Sequence, residues 1–167
     1  MKSITTALVA AAVLAACSPG ESPSAGGADA AANSATAESF MGTWKVSGHI
    51  VAPWFTGPGY APEPGQDILD TPLVLTPASA AGPTTLACDP ATFEVKTFPV
   101  EGLFEGNVPD ASLARSALGV EQDQTPSLVQ TCTTDRADRT YTYHLIGKDV
   151  LLLGLDNIVY QFGREPA

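Results

Sequence analysis

The stretch RTYTYHLI (139–146), GKD (147–149), VLLLGL (150–155), DN (156–157) and IVYQFG (158–163) decides the fold. It contains three runs of strand length, rich in aromatic, β-branched and leucine residues, parted by two short polar breaks of turn-forming type. Breaks this short join neighbouring antiparallel strands, so the C-terminal end is predicted to form a meander. The same period extends toward the N-terminus. In residues 43–51, Trp44, Val46, Gly48 and Ile50 alternate with Thr43, Lys45, Ser47 and His49, the pattern of a strand with one apolar face. Shorter strand candidates lie at 73–75, 84–88, 93–98 and 128–133, separated by Pro, Gly and Asp turn signals. Helical stripes are scarce. One short helix is predicted over 111–118, with Asp110 as its N-cap and Gly119 ending it, so the fold class is mostly β.

The beginning of the chain has a different character. Met1-Lys2-Ser3 carries one positive charge, and residues 4–16 are uncharged and rich in Ala, Val and Leu. This is the layout of a signal peptide, and the run is shorter than the roughly 20 residues that a spanning helix needs. Its end, Leu14-Ala15-Ala16-Cys17, resembles the lipobox of bacterial lipoproteins. The resemblance implies cleavage before Cys17, acylation of Cys17 (palmitate-type chains), and attachment to the periplasmic side of a bacterial membrane. With Ser18 next to Cys17, it points to the outer membrane over the inner. Cleavage near Ala16 with a free Cys17 is the simpler alternative. Residues 18–39 hold Ala, Gly, Ser, Pro, Asp and Glu and no large apolar side chain, the composition of a flexible tether about 25 Å in mean span. The expected organisation is therefore signal peptide 1–16, lipidated cysteine and tether 17–38, and one domain 39–165.

Three cysteines in an exported chain leave one unpaired. If Cys17 is the anchor, Cys88 and Cys132 are expected to form a disulfide in an oxidising compartment, two buried thiols being the alternative. The formal charge of −10 argues against nucleic acid as a partner, because nothing displaces counterions from phosphates. Membrane contact is then expected through acyl chains and not through a basic surface.

Phe40-Met41-Gly42-Thr43-Trp44 resembles the first motif of the lipocalins and the wider calycin group. In that family Gly-x-Trp opens the first strand of an up-and-down barrel, and an arginine ending the last strand packs over the tryptophan. Arg164 follows Ile158, Tyr160 and Phe162 in the same two-residue phase and fits that place. The resemblance implies a small antiparallel barrel, closed at one end by Trp44 and Arg164 and covered at the other by the first loop.

That loop, residues 52–71, carries Trp54, Phe55 and Tyr60 among many Pro and Gly residues, and long irregular loops of this kind are often functional. Its aromatics either bind a ligand or partner, or pack into the barrel. His49 and His144 lie opposite the clearest apolar sets and read as surface residues. Glu94, Glu101 and Glu105 have no partner that marks an acid/base pair. No nucleophile elbow, zinc-protease helix or phosphate loop is present, so neither an enzyme nor a cofactor or metal is expected. Two functions remain. One is a lipid-anchored envelope protein that binds a small apolar ligand in its barrel or acts as an envelope accessory protein. The other is an inhibitor or assembly partner that binds another envelope protein through residues 52–71.

Overall fold

The computed structural model describes residues 35–166 apart from Pro58, Tyr60, Asp135 and Arg136, so Cys17 and Tyr60 lie outside the described residues. Eight strands form one antiparallel sheet: β1 (Gly42–Val51), β2 (Leu73–Thr76), β3 (Ser79–Ala81), β4 (Thr92–Pro99), β5 (Gln124–Cys132), β6 (Arg139–Ile146), β7 (Val150–Leu155) and β8 (Ile158–Arg164). Their order is β3-β2-β1-β8-β7-β6-β5-β4, so every neighbour is consecutive in sequence except the β1–β8 pair that brings the ends of the domain together. This is an up-and-down meander rolled into a nearly closed barrel. The C-terminal meander is formed as its turn signals require, with Asp156 and Asn157 both left-handed in the β7–β8 turn (φ 52° and 63°).

The remaining seam lies between β3 and β4. Ala80 and Cys88 exchange backbone hydrogen bonds of 2.9 and 2.7 Å across it, and Ala91 N–H donates to Ala78 O at 2.8 Å. A disulfide joins Cys88 to Cys132 at the end of β5, with Cα atoms 5.6 Å apart. Residues 84–88, expected as a strand, form a turn instead: Leu86 and Ala87 N–H both donate to Pro83 O, and only Cys88 reaches a strand partner. This turn is tied to the sheet by side chains, since Gln130 Nε2 donates to Leu86 O at 2.9 Å and the Tyr141 hydroxyl to Thr85 O at 2.6 Å.

Two cores result. The inner one fills the barrel with Trp44, Leu73, Leu75, Leu128, Tyr143, Leu151, Leu153, Tyr160 and Phe162, all essentially without solvent contact. Burial pushes the Tyr143 phenol up, and its hydroxyl donates to Gln130 Oε1 at 2.9 Å. At one end Arg164 stacks its guanidinium 4.1 Å from the centre of the Trp44 ring, while Trp44 Nε1 donates to Phe40 O at 2.8 Å. Arg164 also donates to Met41 O at 2.8 Å and Ser39 O at 2.5 Å, so the cation serves both indole and chain carbonyls.

The second core lies on the outer wall. Leu152 of β7 and Val159 of β8 point away from the barrel and are covered by the excursion 100–123 between β4 and β5. That excursion holds a broken 3₁₀ segment (Val100–Gly106) and the helix α2 (Ala111–Leu118), the shorter helix α1 (Gln66–Asp70) lying earlier in the chain. The capping of α2 follows the sequence: Asp110 Oδ1 accepts from Leu113 N–H at 2.9 Å, and Gly119 ends it at φ 68°. Besides this expected helix there are α1 and a 3₁₀ turn at Ala37–Phe40, elements too short to show helical periodicity. In β1 the register shifts between Val46 and Gly48, so Ile50 pairs with the outward Val159 and is 40% exposed instead of sharing a face with Trp44.

Candidate functional site

The 52–71 loop divides between the two cores. Its second half forms α1, which places Ile68 in the inner core, and Gly65 N–H donates to the Tyr160 hydroxyl at 2.7 Å. Its first half turns onto the outer wall, where Ala52 N–H donates to Asn157 O at 2.8 Å and Trp54 and Phe55 pack on the second core. Two of the three aromatics expected on one lid, Trp54 and Phe55, are therefore half-buried on the outside of the barrel. The reason is local: the hydrogen bond at Ala52 directs the chain along the β7–β8 turn.

Trp54 meets Phe104 there, with ring centres 5.1 Å apart and planes tilted by 36°. Phe104 in turn lies on Gly154 of β7. A methyl group at Gly154 would stand 2.7 Å from Phe104 Cδ1, so glycine is what lets the ring approach the strand backbone. Phe104 is itself left-handed (φ 52°), a conformation that costs a bulky residue about 1–3 kcal/mol and needs support from its surroundings. The support is visible. Its N–H donates to His144 Nε2 at 3.2 Å, and its carbonyl accepts from Asn107 Nδ2 at 2.6 Å and Asn107 N–H at 3.2 Å.

His144 is thus a buried residue, 2% exposed, and not the surface residue its strand phase predicts. It points outward from β6 as that phase requires, but the outer wall at this point is covered by Phe104 and Phe98, whose rings meet the imidazole edge-on at 4.7 and 6.1 Å. Burial pushes its pKa down to about 4, so it is neutral at ordinary pH. The hydrogen bonds fix the tautomer. Nε2 accepts from Phe104, so Nδ1 carries the proton and donates to Ser127 Oγ at 2.7 Å, while the Ser127 hydroxyl donates on to Thr125 O at 3.3 Å. This polarity is the reverse of a serine activated by a histidine base, so the pair is a buried support and not a nucleophile with its base. His49 is exposed, as its sequence position predicts.

Above this support lies an open groove of about 360 Å³. Trp54 and Phe104 form its apolar floor, and Glu105, Asn107, Asp156 and Asn157 stand among its polar lining. All four left-handed non-glycine residues among those described, Phe104, Glu105, Asp156 and Asn157, line this one groove. Asp156 and Asn157 take this conformation as an ordinary hairpin turn, whereas at Phe104 and Glu105 no hairpin requires it, and backbone held this way is frequent at binding sites. Sequence reasoning missed Phe104, His144, Gly154 and Asn107. A signal was available in the runs LLL (151–153) and IVY (158–160), which are apolar on both strand faces and so require a cover on the outer wall.

Of the other sequence candidates, Glu94 pairs with Lys96 at 2.9 Å on the surface and Glu101 is exposed, away from this lining. Among the described residues no group of three His, Cys, Asp or Glu side chains is placed to hold a metal. No family model, curated protein or solved structure matches the chain.

Proposed function

We propose that the protein is an envelope lipoprotein, held to the membrane by acyl chains on Cys17, that binds another envelope protein in the groove on the outer wall of its barrel. The observation that carries this reading is where the space lies. The barrel interior is occupied by Trp44, Tyr143, Tyr160 and Phe162, whereas Trp54 is half-buried and opens onto a groove supported from behind by His144. An apolar guest inside the barrel would have to displace several of these rings, at a cost of about 3 kcal/mol or more for each. A lipocalin-like wall in this reading serves as a rigid base for a surface site.

Oxidative footprinting in native envelopes tests it. Trp54 should be oxidised several-fold more slowly in the envelope than in the purified protein, while Trp44, buried under Arg164, stays protected in both. Equal Trp54 oxidation in the two states would count against a partner in the groove.

A further inference from the structure

Resting on the reading just given, we infer that the groove at Trp54 and Phe104 receives a basic side chain, an arginine or lysine presented by a loop of the partner protein. Four features point the same way. The floor is aromatic: Trp54 lies over Phe104, which lies on the bare backbone of Gly154, so an indole face is held in place at the groove. An indole face attracts a cation, and a rigid one does so without further ordering. Two carboxylates, Glu105 and Asp156, line the groove, and no described lining residue is cationic. The one titratable base in the lining, His144, is kept neutral at its back by burial and by the Phe104 N–H, so it sets no positive charge against an incoming guanidinium. Finally the chain as a whole carries −10, which raises the local concentration of cationic partners around it.

The geometry also separates a basic side chain from other occupants. An anionic glycan or phosphate would meet two carboxylates and no described cation. A purely apolar side chain would strip water from Glu105, Asn107, Asp156 and Asn157 without replacing their hydrogen bonds. A guanidinium stacks its plane on the indole and gives its edge donors to the carboxylates and amide oxygens, which uses both halves of the lining. The groove, at about 360 Å³, has room for one long side chain and its backbone.

The test uses the purified full-length chain and the peptide acetyl-Gly-Arg-Gly-Arg-Gly-amide, with the Glu-for-Arg peptide and a neutral trisaccharide as comparisons, read by tryptophan fluorescence and, for every variant, by titration calorimetry. The arginine peptide should change the emission saturably, and the glutamate peptide and the sugar should not. Glu105→Gln with Asp156→Asn should weaken the arginine peptide by about fivefold or more, and raising salt from about 20 to about 200 mM should weaken it comparably. These variants preserve the backbone, since Asn accepts the left-handed turn position of Asp156. Trp54→Leu should abolish the calorimetric binding, and a retained cooperative unfolding transition in both variants shows that the site and not the fold was lost. Saturable binding of the sugar or the acidic peptide in preference to the arginine peptide overturns the inference, as does arginine binding untouched by the charge variants. Protection of Trp54 in the envelope without any response to the arginine peptide would leave the partner reading intact and remove this one; loss of both would remove both.

Discussion

Lowering the pH toward 4 should destabilise the fold, because His144 must stay neutral to accept the Phe104 N–H. The size follows from its pKa, which burial lowers from 6.5 to about 4. Above pH 6.5 neither the folded nor the unfolded chain protonates this imidazole, and its full contribution to stability is present. As the pH falls below 6.5 the unfolded chain takes up the proton and the folded chain does not, so stability is lost progressively down to about pH 4. The shift corresponds to a loss of about 3 kcal/mol across that window. Urea unfolding at a series of pH values measures it, with His144→Gln as the comparison, since its amide oxygen can accept from Phe104 but does not titrate. The wild type should lose about 3 kcal/mol more than the variant as the pH passes from 7 to 4. Parallel curves, or direct titration of the His144 ring near 6.5 in an NMR experiment, would refute the reasoning.

Four further outcomes are expected. Gly154→Ala should push Phe104 off the β7 backbone, destabilise the protein by about 1–3 kcal/mol and make Trp54 more accessible to acrylamide quenching. Trp44→Ala should cost about 3–5 kcal/mol, and its combination with Arg164→Ala should cost less than the sum, because the two share one stacked contact; an additive cycle in chemical denaturation would contradict that. Removing the Cys88–Cys132 bridge, which spans 44 residues, should lower stability by about 4 kcal/mol in the chain-entropy account, and the Cys88→Ala, Cys132→Ala pair compared with wild type by calorimetry measures it. Cys17→Ser should abolish labelling by a fatty-acid probe and release the protein from membranes; unchanged labelling would remove the anchor.

The barrel wall was legible in the sequence because its signals are local. The Asp156-Asn157 turn, the alternation around Trp44, and the capping of α2 by Asp110 each involve residues a few positions apart. The meeting of Trp44 and Arg164 was implied by the resemblance to the lipocalin motif, phase adding only that both side chains point inward, and the strands pair at that point. The site was not legible in this way. Residues 52–57 continue onto the outer wall past the backbone bond from Ala52 to Asn157, and Phe104 is turned onto Gly154 by a left-handed backbone that no propensity favours. His144 shows the limit most clearly. Its outward direction on β6 was correct, but outward is not exposed where a segment about 40 residues earlier folds over the wall. The bulge in β1 inverted Ile50 for a related reason, since one extra residue reverses the phase of all that follow.

The proposal that a protein partner occupies the outer groove is tested most directly by a photo-crosslinking amino acid placed in the full-length chain expressed in its own cells. Position 157, in the groove lining, is compared with position 45, exposed on β1 and outside that lining. The account predicts a discrete protein adduct from position 157, lost when Trp54 is replaced by Leu, and none of the same mass from position 45. Identical adducts from both positions, or an adduct from position 157 that survives the loss of Trp54, would contradict it.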